Sequence, residues 1–143
     1  MGFLGVDAIA RQSLRDHRAL DRALVGERRE RDRVIDVACD IWIPAARPDV
    51  IREDNVGRLA TKLVLQGANI PFTAGAEAAL HRRSVLVVPD FIANAGGVIC
   101  AAMEYAGATQ AAAFQAIEEK IRANTEAVLD AAKEGGIAPR AAA

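Results

Sequence analysis

The 143-residue chain carries 18 Lys+Arg against 19 Asp+Glu, with 52% hydrophobic and only 4% aromatic residues. That length accommodates one domain with a real core. Near-neutral charge and scarce aromatics exclude a dedicated nucleic-acid binder, and no apolar run approaches the roughly 18 residues of a membrane span.

The first 33 residues stand apart. From Arg11 to Arg33 there are eight Arg and five Asp/Glu among sparse apolar positions. Leu20 and Leu24 at i, i+4 predict a short helix that Gly26 breaks. Two readings are open for this stretch: an Arg-rich arm for phosphate or an acidic partner, or a solvated surface, which the interspersed acids favour.

From Val34 the texture changes to VIDVACDIWIPAA, whose pieces 34–38 and 41–43 predict one buried strand region ended by Pro44. Residues 49–62 predict a helix that turns Val50, Ile51, Val56, Leu59 and Ala60 inward. A strand over 63–67 follows, then a helix over 73–83 capped by Thr73. The run 85–88 is apolar on both faces, as a central parallel strand requires, and Pro89 closes it. Two helices complete the pattern. The first covers 94–106. The second covers 109–134, with Phe114, Ile117, Ile121, Thr125, Val128 and Ala132 on its apolar stripe and Glu118–Arg122 paired across one turn. Gly135-Gly136 and Pro139 stop it, and 140–143 carries no pattern.

Strands alternating with helices predict an α/β fold: an incomplete, Rossmann-like parallel sheet flanked by helices, with two C-terminal helices. The expected organisation is an Arg-rich segment (1–33), a partial cofactor-binding domain (34–139) and a tail (140–143). Cys39 and Cys100 form no C-x-x-C pair and have no matching His spacing. No metal site or disulfide is expected, and a reducing, cytoplasmic setting is. The N-terminus, interrupted by Asp7, does not read as a signal peptide.

Ligands of open parallel sheets bind outside the carboxyl ends of the strands. Three loops lie there by prediction: Pro44-Ala45-Ala46, Gly67-Ala68-Asn69, and the run from Asp90 to Gly97. Small residues let backbone approach a ligand, and an Asn offers both a donor and an acceptor. Each feature also has a plainer reading: Gly67 as a turn, Ala45-Ala46 as an approach to a helix, Asn94 as the N-cap of the next helix.

The runs CDIWIPAA, QGANIPFTAGA and VLVVPDFIANAGGVICAAMEY resemble the C-terminal segment of the Glu/Leu/Phe/Val amino-acid dehydrogenases, and most closely its glutamate-type members. The resemblance implies oxidative deamination of an L-amino acid, or reductive amination of a 2-oxo acid, with NAD or NADP. It places Pro44, Ala45 and Ala46 over the cofactor's adenosine side. Gly67 and Ala68 fall among the cofactor-binding residues, Asn69 at the nicotinamide ribose, Asn94 at the carboxamide, and Gly96 and Gly97 beside the nicotinamide. It places Ala101 in the substrate side-chain pocket. An alanine donates no hydrogen bond to a carboxylate, which points to an apolar side chain or relaxed constraint.

The departures are specific. The sequence holds no G-x-G-x-x-G turn for the pyrophosphate and no match to the family's catalytic Lys and Asp, so it offers no catalytic residue. Lys62, Lys120 and Lys133 read as solvated surface. These 143 residues alone are therefore expected to bind dinucleotide poorly and not to turn over. The open sheet edge calls for a cover: residues 1–33, a second copy, or a partner chain supplying the missing half. The alternative is a catalytically inactive remnant acting as a self-associating or regulatory module. A nucleotide-binding module of another chemistry would need a phosphate loop.

Overall fold

The computed structural model describes residues 31–143, with side chains from Arg33 onward. The expected helix around Leu20 and Leu24 and the Arg-rich arm lie outside the described residues. Three short strands, β1 (Ile41–Trp42), β2 (Leu63–Leu65) and β3 (Leu86–Val88), form one parallel sheet in the order β1-β2-β3. Ile41 and Trp42 pair with Leu63 and Val64, and β2 pairs residue for residue with β3. Among the described residues five α-helices accompany them: α1 (Ala74–Arg82), α2 (Asp90–Ala93), α3 (Gly96–Tyr105), α4 (Gln110–Gly135) and α5 (Pro139–Ala142).

Alternation along the strands sends side chains to opposite faces. Val64 and Val87 point to a core with Ile51, Val56, Leu59, Phe72 and, from α1, Ala76 and Leu80. Trp42 closes its side, edge-on to Phe72 at 6.3 Å and 85°. On the other face Val88, Ile92 and Val128 of α4 form a smaller cluster with Leu63, Leu65 and Ala93 against it. Both faces of the central strand, β2, are thus covered, as parallel sheets require, whereas among the described residues β3 pairs on one side only and leaves Leu86 exposed, unlike the central strand expected over 85–88.

Caps fix α1 and α4, the helices that the sequence announces most clearly. The Thr73 hydroxyl accepts the Ala76 N–H at the start of α1, and the Thr109 hydroxyl accepts the Ala112 N–H at the start of α4. Gly136, at φ +60°, ends α4 in the left-handed region that an L side chain resists. Arg122 and Glu118 pair at 2.7 Å as expected.

Several expectations are corrected. Residues 49–62 form no α-helix. Asp49 sits at φ +50°, the Asn55 side chain accepts the Arg52 N–H and donates to the Val50 carbonyl, and Ile51 bridges to Phe72. Side-chain bonds to the local backbone win over the helical ladder, leaving one 3₁₀ turn, Val56–Arg58. Ile51, Val56 and Leu59 are buried there all the same, Val50 is half-buried, and Ala60 is exposed. Residues 34–38 are no strand: Arg31–Asp36 is a 3₁₀ turn, and Val34 and Val37 are exposed. The remaining strand is shorter than expected and is not buried, since Ile41 and Ile43 are 53% and 58% exposed. The helix expected over 94–106 forms as α3, Gly96–Tyr105, but a separate short helix, α2, precedes it and ends at Asn94, and α3 buries no residue. Phe114 is 60% exposed despite its place on the stripe. The tail forms α5, with Pro139 as its first residue.

Candidate functional site

The carboxyl ends of the strands carry the three loops singled out from the sequence, and two hydrogen bonds join them. The Ala68 N–H donates to the Pro44 carbonyl at 2.7 Å, linking the loops after β1 and β2. The Asn94 Nδ2 donates to Asn69 Oδ1 at 2.7 Å, linking the loops after β2 and β3. Asn94 is the C-cap of α2, where its N–H bonds the Asp90 carbonyl, and it caps no following helix; Ala95 stands at the head of α3 without a side-chain cap. Its amide is thereby turned to Asn69.

The glycines differ in what they do. A Cβ on Gly67 would lie 3.2 Å from Ala45 Cβ and 3.3 Å from Ile43 Cγ2, so this glycine lets the first two loops touch. A Cβ on Gly96 would meet Ile117 at ordinary contact distance, while Gly97 faces open space. Ala45, Ala46, Asn69, Gly97 and Ala101 are exposed, and Pro44 is buried. An amide pair joined by one hydrogen bond keeps Asn94 Oδ1 as an acceptor and the Asn69 NH₂ as a donor. Together with the open backbone at Gly97, this donor set fits a ribose hydroxyl and a carboxamide. It offers no cation to a pyrophosphate.

Beneath these loops lies a polar cluster that sequence reasoning did not find. Gln66, Glu77 and Asp90 are 0%, 6% and 7% exposed. Arg140, from α5, reaches all three: Nε donates to Glu77 Oε2, and Nη2 to Gln66 Oε1 and Asp90 Oδ1, each at 2.7 Å. Its guanidinium also lies 5.2 Å from the centre of the Phe91 ring. The Gln66 Oε1 accepts the Asp90 N–H, and Asp90 Oδ2 accepts the Ile70 N–H at 2.8 Å. Burial by itself raises the Asp90 pKa, but the Ile70 N–H and Arg140 together outweigh it and hold the carboxyl below its usual range. The available signal was Pro139, which serves as well at a helix start as after a helix stop.

A shallow cavity of about 490 Å³ lies at the opposite end of the sheet, between Cys39, Asp40, Thr61, Lys62, Arg83 and Val85. It is not where parallel sheets take ligands, and its Lys62 and Asp40 pair with each other in solvent. Among the described residues no three His, Cys, Asp or Glu side chains gather as a metal site, and no helix is long and apolar enough to cross a membrane.

A parallel sheet in sequential order, flanked by helices and joined by loops at its carboxyl ends, defines a Rossmann-like α/β fold. Solved structures agree: L-tryptophan dehydrogenase from Nostoc punctiforme superposes with a TM-score of 0.72 at 24% identity, over 77% of this chain and 33% of that one. Hetero-hexameric glutamate dehydrogenase from Thermus thermophilus gives 0.69 at 21% identity, over 87% and 32%. The sequence model of the Glutamate/Leucine/Phenylalanine/Valine dehydrogenases matches residues 6–143, and the chain belongs to that family. Among relatives, the NADP(+)-dependent glutamate dehydrogenase of Pyrobaculum calidifontis is 48% identical over 90 residues, 63% of this chain and 21% of its own length. The NAD-specific glutamate dehydrogenase of Staphylococcus aureus is 35% identical over 99 residues, 68% of this chain and 24% of its own. The chain thus spans about a fifth to a quarter of the length of these relatives.

Proposed function

We propose that this chain supplies the later half of the NAD(P)-binding domain of an amino-acid dehydrogenase, working in oxidative deamination and reductive amination in a cytoplasmic setting. The observation that carries the reading is the pair of hydrogen bonds, Ala68 to Pro44 and Asn94 to Asn69, that gather three strand-end loops into one surface. In this reading Asn69 and Asn94 hold the nicotinamide ribose and carboxamide, Gly96 and Gly97 lie along the ring, and Gly67 keeps the loops together. Pro44, Ala45, Ala46 and Ala68 lie toward the adenosine. A bound nicotinamide would accept the hydride in deamination and give it back in amination, and this chain's residues would orient it. Ala101, a methyl with no donor, favours an apolar substrate side chain over a carboxylate.

Proton transfer and pyrophosphate binding need the family's Lys and Asp and its Gly-rich turn. In this reading another stretch of polypeptide or another chain provides them. General acid–base help alone is worth about 10²–10⁴-fold in rate, so these 143 residues by themselves do not turn over. Two missing charge-assisted hydrogen bonds of about 2 kcal/mol each move a micromolar site to about millimolar.

A second reading, a self-associating module without cofactor, is favoured by exposed apolar surface on β1 and α3, where Val98 and Tyr105 are 76% and 98% exposed. Calorimetric titration with NADH and NADPH, with the mass in solution measured alongside, separates the two. The first reading predicts weak binding that saturates near millimolar cofactor and is lost in N69A. No heat at ten times that concentration, with a stable oligomer, overturns it in favour of the second.

A further inference from the structure

We propose that Arg140 is a positioning residue for the strand-end site, holding Asp90 so that both site amides, Asn69 and Asn94, keep their places. The inference rests on the reading above for the role of those amides, and on separate geometry for the latch itself.

The turn that presents Asn69 is strained. Ile70, the next residue, sits at φ +48°, and it is β-branched and 60% exposed. A non-glycine L residue in that region costs about 1–2 kcal/mol, so something outside the turn must hold it. The Ile70 carbonyl accepts the Asp49 N–H, and the Ile70 N–H donates to Asp90 Oδ2. Asp90 also opens α2, and its carbonyl accepts the Asn94 N–H at 2.8 Å. One residue therefore governs both amides: Asn69 through its carboxylate, Asn94 through its backbone.

Arg140 in turn fixes Asp90 twice. Its Nη2 takes Oδ1 and leaves Oδ2 for Ile70. The same Nη2 holds Gln66 Oε1, which receives the Asp90 N–H. Its Nε binds Glu77, so one guanidinium pairs with two buried carboxylates. Without it, Glu77 and Asp90 would face each other's charge at low exposure, and Asp90 would gain by turning toward solvent and releasing Ile70. A lysine carries the charge but lacks the planar fork that reaches three acceptors at once.

The test uses the full chain and compares R140A with wild type by amide hydrogen exchange and by the side-chain amide signals of Asn69 and Asn94. The expected result is exchange at the Ile70 N–H faster by roughly tenfold, with shifted Asn69 and Asn94 signals. The Leu63 and Leu86 amides, bonded to the Asp40 and Lys62 carbonyls at the sheet, stay as they were. A merely structural role would raise exchange at Ile70, Leu63 and Leu86 together. That result overturns the proposal, and so does an unchanged Ile70. If R140A does not fold, R140K is read by the same comparison. NADH titration keeps the two readings apart. A wild-type chain that binds no cofactor refutes the proposed function, whereas an unmoved Ile70 in the variant refutes the latch.

Discussion

Asp90 shows how one side chain joins stability to the geometry of a site. It is 7% exposed, accepts the Ile70 N–H and pairs with Arg140. Burial raises its pKa, but the Ile70 bond and then Arg140 prevail, and the net direction is down. A folded-state pKa depressed below the unfolded value contributes stability that is fully present above the unfolded pKa, near 3.9. That contribution is lost as pH falls through the lower, folded value. Urea midpoints followed from neutral to strongly acid pH should therefore decline below about pH 4 in the wild type. D90N should lose about 2–3 kcal/mol at pH 7, because Arg140 is left without one of its two carboxylates, and its acid decline should be shallower. Equal pH profiles for the two proteins would contradict this account of Asp90.

At the scale of elements, the loops depend on close approach more than on hydrogen bonding alone. G67A would place a methyl 3.2 Å from Ala45 and 3.3 Å from Ile43, so the first two loops would have to part by a few tenths of an ångström. The expected cost is about 1 kcal/mol in thermal or urea unfolding, with weaker cofactor binding; a variant as stable as wild type would show that the loops give freely. What the sequence disclosed at this scale was local. Thr73, Thr109 and Gly136 act within their own turns, so α1 and α4 could be read from spacing and caps. The parallel sheet followed from alternation of element types. Residues 49–62 misled because their apolar spacing is helical, while Asp49 and Asn55 commit the backbone to turns. Of the candidate site, the three loops were legible because they follow strands. Arg140 was not, because it acts on Asp90 from 50 residues away and its own neighbours are Pro139 and alanines.

At the scale of the whole molecule, the three strands among the described residues form one parallel sheet in sequential order. Among the described residues β1 pairs with β2 alone, and its Ile41 lies exposed at that edge. Solved dehydrogenase structures superpose on this chain over about a third of their own length. Assignment of the backbone amides followed by titration with NADH locates the ligand directly. The account predicts shifts concentrated at Ala68, Asn69, Asn94 and Gly97, at the carboxyl ends of the strands. Shifts centred on Cys39, Asp40 and Lys62 at the opposite end of the sheet, or no shift at Asn69 and Asn94 at millimolar cofactor, would contradict it.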